Sequence, residues 1–170
     1  MERSQNVEQQ NFASYKLKEL DILKELDQFE NKRFDLIVMF GLIHHIPSLQ
    51  ARNQFFAQVT KLLNPNGLLI FTTWQYLDTP RRIKRAVDPE TETGKYIYEK
   101  LGIKKTDLEV GDNILDWVKK VFSYCYSHYF IEVEVKSYLS NNNLELIHSF
   151  VCDSRDSKRN TYYVCQLKNL

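Results

Sequence analysis

Residues 34–74 constrain the fold most, because their hydrophobic pattern changes period twice. Residues 34–41 predict a strand, and their continuous apolar run from Leu36 to Phe40 is typical of a parallel strand buried on both faces. Over residues 49–63 the apolar positions recur with a period of about 3.6, which predicts an amphipathic helix. The NPNG sequence at 64–67 ends that helix, and residues 68–74 predict another strand. The segment therefore predicts a βαβ unit with a right-handed crossover.

The rest of the chain extends this α/β pattern into one domain spanning residues 1–170. The alternation at 15–21 predicts a strand that ends at Asp21, and 75–121 reads as an inserted segment that shapes a site on the substrate side. Further predicted elements are an extended segment at 122–130, a helix from Ile131 to Leu139, and an antiparallel hairpin of strands 144–152 and 161–168. The expected fold is a mostly parallel sheet with a C-terminal antiparallel hairpin.

The balance of charged residues excludes a strong electrostatic field over the whole protein. With 23 basic and 22 acidic side chains the net charge is +1, so binding to nucleic acid must be local. The sequence begins without a charged-then-apolar signal and has no apolar run near the ~18 residues of a membrane span. Three widely spaced cysteines favour free thiols in the cytoplasm.

The segment 34–74 resembles the second half of class I S-adenosylmethionine (SAM) dependent methyltransferases, in which the fourth strand ends in a similar Leu-His-His turn. The runs GDNILDWVKK (111–120) and CYSHYFIEVEV (125–135) are similar to segments of the methyltransferases that esterify a carboxymethyl group on the wobble uridine of tRNA. Two positions depart from that subgroup: Cys125 replaces an arginine, and Ile131 replaces a capping Ser or Thr. The resemblance implies a Rossmann-like fold, SAM as cofactor and methyl transfer to a modified uridine in tRNA.

The resemblance also implies roles for particular residues at the carboxyl ends of the strands. Asp21 would accept a hydrogen bond from the adenine amino group, with Ile22 packed on the ring. Phe40, Gly41 and Leu42 would pass close to the methionine part of SAM. The alternatives are a surface aspartate that serves a turn, and a glycine that a tight turn requires.

The acceptor side would be lined by Trp74, Trp117, Tyr126 and His128, although aromatic side chains also pack in cores. The basic run at 81–85 could contact phosphates, but a solvated helix face explains it as well. We expect Asp21, the 40–45 segment and Trp74 to lie on one rim of the sheet.

The paired histidines at the end of the 34–41 strand raise the question of metal binding or base catalysis. Zinc would need further ligands, with Cys125 and His128 the only candidates, and the paired spacings of zinc sites are lacking. A carboxylate acceptor is already ionised at neutral pH and needs no base, so positioning and desolvation would carry the rate. We therefore predict no metal and no catalytic side chain, with one ring packed at the helix entry and His45 on the pocket wall.

The family's glycine-rich turn is not found, because the five glycines all lie at or after position 41. The resemblance therefore implies an N-terminally incomplete fold, a fragment that starts just before the third strand and has impaired activity. In the family's strand order, 3-2-1-4-5-7-6, this leaves one edge of the 34–41 strand open, with 15–21 either detached or paired directly with it. The alternatives are a non-catalytic module that binds a protein partner at that open edge, or a fragment of a small-molecule methyltransferase.

Overall fold

The computed structural model describes residues 15–78, 83–117, 123–152 and 159–168. These residues form an α/β fold in which short 3-10 turns connect strands and helices. The strands are β1 (Phe34–Met39), β2 (Leu63–Trp74), β3 (Asp112–Asp116), β4 (Tyr124–His128), β5 (Leu144–Cys152) and β6 (Asn160–Leu167). The helices are α1 (Leu49–Thr60), α2 (Glu92–Leu101) and α3 (Glu132–Asn141).

The larger sheet has four strands in the order β1-β2-β6-β5. β1 and β2 are parallel, as a βαβ unit requires, while β6 is antiparallel to both of its neighbours. This order agrees with the expected 4-5-7-6 part of the family's sheet, and the predicted α/β class with a C-terminal hairpin is confirmed. β6 lies between β2 and β5, as that order requires, and runs antiparallel to the other three strands. β3 and β4 form a separate antiparallel hairpin.

Helices α1 and α3 cover one face of the larger sheet. Phe56 of α1 lies edge-on to Phe71 of β2 at 5.3 Å and stacks on Tyr138 of α3 at 5.2 Å between ring centroids. Phe71 in turn stacks on Tyr163 of β6 at 4.9 Å. These rings belong to one buried cluster, so the core depends on alternate residues of the strands pointing towards two helices.

The opposite face of the sheet exposes apolar side chains. Leu36 is 52% exposed and Phe40 is 55% exposed. Phe40 lies edge-on to Tyr162, which stacks on Phe150 with 4.9 Å between the ring centroids and with the two ring planes nearly parallel. Exposed contiguous apolar surface of this kind is typical of a face that another polypeptide covers.

The predicted strand at residues 15–21 is wrong, because this segment is irregular and lies outside the sheet. Tyr15 and Leu17 are 80% and 87% exposed, because no strand among the described residues pairs with this segment and buries them. At the end of the segment the Asp21 carbonyl accepts hydrogen bonds from the amides of Lys24 and Glu25, which closes a turn. The segment is thus detached, one of the two expected arrangements, and β1 is an edge of the described sheet.

Two boundaries differ from the predictions for local reasons. β2 begins at Leu63 rather than at 68, because the NPNG sequence continues the strand through an irregular register opposite β1. α3 begins at Glu132, with Ile131 in an extended conformation and without a side-chain cap. The interpretation of 75–121 as a substrate-side insertion stays a prediction, and its described part contains α2 and β3.

No helix in the described ranges is long and apolar enough to span a bilayer. Cys125, Cys152 and Cys165 are all free thiols.

Candidate functional site

The chain leaves β1 through a tight turn at Gly41, which lies at the carboxyl end of the strand. Its φ of +63° is in the left-handed region, and its amide donates a hydrogen bond of 3.0 Å to the Thr72 hydroxyl on β2. A Cβ atom added to Gly41 would meet nothing within 4 Å. The backbone conformation, rather than lack of space, therefore explains the glycine, as the turn alternative expected.

His44 is the packed ring of the histidine pair. It is buried, with its centroid 4.2 Å from that of His45 and 5.5 Å from that of Trp74. Burial, with a smaller contribution from His45, lowers the pKa of His44 to about 3, so the ring is neutral at physiological pH. Through His44 and Trp74, the carboxyl ends of β1 and β2 meet at one place, as predicted.

His45 is exposed and faces the β3–β4 hairpin. Its Nδ1 lies 2.9 Å from the Tyr126 carbonyl oxygen. Because a carbonyl oxygen can only accept, Nδ1 must carry the proton, and in the neutral ring Nε2 is the hydrogen-bond acceptor. Cys125 Sγ lies 3.5 Å from the same nitrogen. Burial raises the pKa of the Cys125 thiol, which disfavours the thiolate that a zinc site would need.

Metal binding gains no support from the described residues, where no group of three or more His, Cys, Asp or Glu side chains is arranged to hold an ion. His128, the other ligand considered for zinc, has both ring nitrogens bound to carboxylates.

Trp74 forms the centre of an aromatic cluster at the end of β2. Its centroid is 4.9 Å from Tyr76 and 6.3 Å from Trp117. Trp74 is buried, whereas Trp117 is 49% exposed. Of the side chains predicted for the acceptor side, Trp117 therefore offers the most accessible ring.

A buried ionic network, which sequence reasoning missed, lies behind this cluster. Its centre is Arg52 of α1, which is 1% exposed. The guanidinium donates hydrogen bonds to the Tyr138 hydroxyl at 2.8 Å, the Tyr126 hydroxyl at 3.2 Å and the Glu109 carboxylate at 2.8 Å. It also donates to the Ile46 carbonyl at 3.1 Å. Arg52 thereby joins α1 to α3, to the hairpin and to the turn that holds the histidines.

His128 completes the network. Its Nδ1 lies 2.5 Å from Asp112 and its Nε2 lies 2.8 Å from Glu134. Burial by itself would lower the pKa of His128, but the hydrogen bonds to Asp112 and Glu134 outweigh it and raise the pKa above 6.5. The same contacts hold the pKa values of Asp112 and Glu134 below their usual range, although burial opposes this. The structure thus places the predicted acceptor-side residue His128 inside the protein, at 1% exposure.

The sequence did contain a signal for this network. Arg52 lies three and four residues before Phe55 and Phe56, on the apolar stripe of α1, where a charged side chain must be buried. A buried arginine requires anionic and carbonyl partners, which are here supplied by segments distant along the chain.

An apolar cavity of about 290 Å³ lies beside the edge of β1. Ile22 and Leu42, both predicted to contact the cofactor, line it. The other lining residues are Leu26, Phe29, Phe34, Leu36, Ile37, Val38, Met39, Phe55, Val59 and Leu62. Asp21 precedes Ile22 in an exposed turn, where it forms an ion pair of 2.7 Å with Lys24 that lowers the pKa of the Asp21 carboxyl.

The predicted rim is therefore divided among three places. Ile22 and Leu42 meet at the cavity, His45 and Trp74 lie towards the hairpin and the aromatic cluster, and Phe40 lies on the open face of the sheet. Residues 81 and 82 of the basic run lie outside the described residues, and that run's phosphate-binding role stays a prediction.

Solved structures show which class this fold belongs to. It is the fold of the SAM-dependent methyltransferases: one such enzyme from Clostridium acetobutylicum matches with a TM-score of 0.52 at 14% identity, and one from Methanosarcina mazei with 0.54 at 16%. The matches cover 82% and 80% of this chain, and 60% of each neighbour. A protein from Pyrococcus horikoshii matches with a TM-score of 0.58 at 14% identity, over 87% of this chain and 57% of the neighbour. The chain thus spans about three fifths of the length of these neighbours.

The sequence itself matches a known family over its first part. Residues 1–69 match the model of a methyltransferase domain, a segment that includes Asp21, Gly41 and His45. A search of curated proteins found no significant match.

Proposed function

We propose that this chain belongs to a SAM-dependent methyltransferase. The observation that carries the proposal is the match of residues 1–69 to a methyltransferase domain, in a chain whose sheet has the fold of SAM-dependent methyltransferases. SAM would supply an electrophilic methyl group on a sulfonium. The work of the protein would then be to bind the cofactor, to orient the acceptor and to exclude water.

The cavity beside β1 fits the adenine end of such a cofactor. Its wall is apolar, and Ile22 and Leu42 can pack against a flat ring. Asp21 adjoins this wall with a carboxylate that its ion pair keeps ionised, so it can accept a hydrogen bond from an exocyclic amino group. The Gly41 turn would face the methionine part, as would the backbone of Phe40 on the same turn.

The acceptor that we propose is a modified uridine in tRNA. A half-exposed ring such as Trp117 is suited to stacking on a nucleobase, and Trp74 supports it from below. A carboxymethyl group on the base would attack as an ionised carboxylate, so no described side chain needs to remove a proton. Tyr126 and His128 would support this surface from inside the protein and would not contact the acceptor through their polar atoms, because those atoms are hydrogen-bonded to Asp112 and Glu134. The free thiols are compatible with a cytoplasmic enzyme.

Calorimetry with SAM and with S-adenosylhomocysteine tests the cofactor site. We expect Asp21→Ala to weaken binding by about tenfold, the equivalent of about 1.4 kcal/mol for one hydrogen bond to a charged group. Asp27→Ala, which removes an exposed carboxylate six residues further along, should leave affinity unchanged and serves as the matched control. An affinity for both ligands that Asp21→Ala leaves unchanged would contradict the proposed cofactor site.

Radiolabelled methyl transfer tests the acceptor. With labelled SAM, total tRNA and a small-molecule extract should be offered in parallel, and we expect label in tRNA that is released by mild alkali, as a methyl ester would be. Label only in the small-molecule fraction would instead favour a small-molecule methyltransferase.

A second candidate function is that of a binding module, and the open edge of β1 favours it. Alternate residues of an edge strand present unpaired N–H and C=O groups, and here apolar side chains such as Leu36 and Val38 flank them. The occupant that suits both features is an extended, alternately apolar segment of another polypeptide, which would add a strand to the sheet. Hydrogen exchange of the isolated chain tests this: rapid exchange of the outward-facing β1 amides is expected, and slow exchange would contradict an accessible edge.

A further inference from the structure

His45 and the buried network are connected through a single residue, Tyr126. The Tyr126 hydroxyl lies inside the protein, where it donates to Asp112 at 2.6 Å and accepts from Arg52 at 3.2 Å. The carbonyl of the same residue lies at the surface and accepts from His45 Nδ1 at 2.9 Å. Tyr126 therefore has a side chain fixed by charged partners and a backbone group that contacts an exposed histidine.

Arg52 holds the other side of the same histidine. Besides Tyr126, its Nη1 donates to the carbonyl of Ile46, the residue that follows His45. One guanidinium thus fixes both the turn that carries the imidazole and the strand that carries its hydrogen-bond acceptor. An exposed histidine without such a contact exchanges freely between its two neutral tautomers.

We propose that Arg52 and Tyr126 are positioning residues that hold the His45 imidazole in one orientation and one tautomer, with Nδ1–H directed at the Tyr126 carbonyl and Nε2 left as an acceptor. This inference goes beyond the proposed function in assigning the orientation of His45, and only its consequence for catalysis rests on that function. Within that function, Nε2 would accept a hydrogen bond from an N–H or O–H group of the methyl acceptor. That contact would orient the acceptor and would not require His45 to remove a proton.

Nitrogen-15 NMR of the histidine rings tests the proposal without any ligand. The chain has four histidines, so the His45 signals can be assigned by comparison with a His45→Gln variant. At a pH where the ring is neutral, we expect the wild-type His45 spectrum to show a protonated Nδ1 and an unprotonated Nε2. A protonated Nε2 in the wild-type chain would overturn the proposal, whatever the variants do.

Tyr126→Phe tests the positioning role. This variant keeps the ring and the backbone carbonyl but removes the hydroxyl that Asp112 and Arg52 fix, so we expect loss of the Nδ1-protonated signature in favour of a mixture of tautomers. Tyr129→Phe is the matched control, since its hydroxyl also donates to a carboxylate at 2.6 Å, that of Asp78, but lies outside the network. Unchanged His45 shifts in a folded Tyr126→Phe chain would overturn the inference.

A kinetic measurement distinguishes this inference from the proposed function. If methyl transfer is observed, Tyr126→Phe should raise KM for the acceptor severalfold while leaving the affinity for SAM unchanged. If the NMR result holds but no methyl transfer occurs, Arg52 and Tyr126 position His45 and the proposed function fails. If methyl transfer occurs and Tyr126→Phe leaves the His45 tautomer unchanged, the positioning role is wrong and the proposed function stands.

Discussion

Replacement of Arg52 by methionine should strongly destabilise the protein. The guanidinium donates hydrogen bonds of 3.2 Å or shorter to Tyr138, Ile46, Tyr126 and Glu109. Methionine fills a similar volume but removes the positive charge that lies 4.0 Å from the buried Asp112 carboxylate and 3.5 Å from that of Glu134. Breaking a buried ion pair by removing one partner costs about 3–5 kcal/mol, which is a large fraction of the ~5–15 kcal/mol that stabilises a typical domain.

Urea unfolding followed by tryptophan fluorescence measures this cost. With a slope of about 2 kcal/mol per molar urea, a loss of about 4 kcal/mol lowers the unfolding midpoint by about 2 M. The chain has two tryptophans, and both Trp74 and Trp117 lie in the aromatic cluster near the network, so the signal reports on this region.

Arg33→Met is the control for the loss of a guanidinium. Arg33 is exposed and donates only to nearby backbone carbonyls, so its replacement should change the free energy of unfolding by less than about 0.5 kcal/mol. An Arg52→Met chain within about 1 kcal/mol of the wild type would refute the argument that the buried charges depend on this guanidinium.

Three further perturbations follow from the same structure. The stability that the raised His128 pKa contributes is fully present below pH 6.5 and is lost as the pH rises through the folded-state pKa. The wild-type urea midpoint should therefore fall as the pH rises from 6.5, and His128→Gln should lack this contribution. Gly94→Ala should destabilise by about 3 kcal/mol or more, since its Cβ would lie within 2 Å of a backbone oxygen, whereas Gly41→Ala should cost only about 1 kcal/mol of backbone strain; thermal melts compare them. Phe56→Ala in the core should lower the free energy of unfolding in urea by about 3–5 kcal/mol, and Phe40→Ala on the exposed face by less than about 1 kcal/mol. Similar losses for both variants would contradict the assignment of the covered face of the sheet.

Local periodicity predicted those elements whose apolar residues pack on the core in the pattern that their own sequence indicates. The apolar run of β1 and the stripe of α1 led to the right elements, because each has a face that packs on the core. The hairpin of β5 and β6 was also predicted correctly. The predicted burial of β1 on both faces is wrong, because Leu36 and Val38 are exposed on the face that no described helix covers. The strand at 15–21 failed for the converse reason. Its alternation is real, but a strand needs a partner, and the described residues supply none to this segment.

The candidate site was predictable only where it depends on backbone position. Placing Gly41 and the histidines at the end of β1, beside Trp74 at the end of β2, follows from the topology of a βαβ unit. The partners of those side chains did not follow from it. His45 bonds to a carbonyl on a hairpin about eighty residues away, and His128 proved to be buried between two carboxylates rather than a surface contact.

The sequence by itself determined the α/β class and the βαβ unit, because these depend on hydrophobic periodicity and chain connection. Only the tertiary structure decided which polar side chains are buried together and which are exposed. In the sequence Arg52 stands out only by its place on the apolar stripe of α1, and nothing in the spacing of Asp112, His128 and Glu134 links them to it. They form one network because α1, the β3–β4 hairpin and α3 converge there, and burial makes these charges one another's partners together with nearby hydroxyl and carbonyl groups.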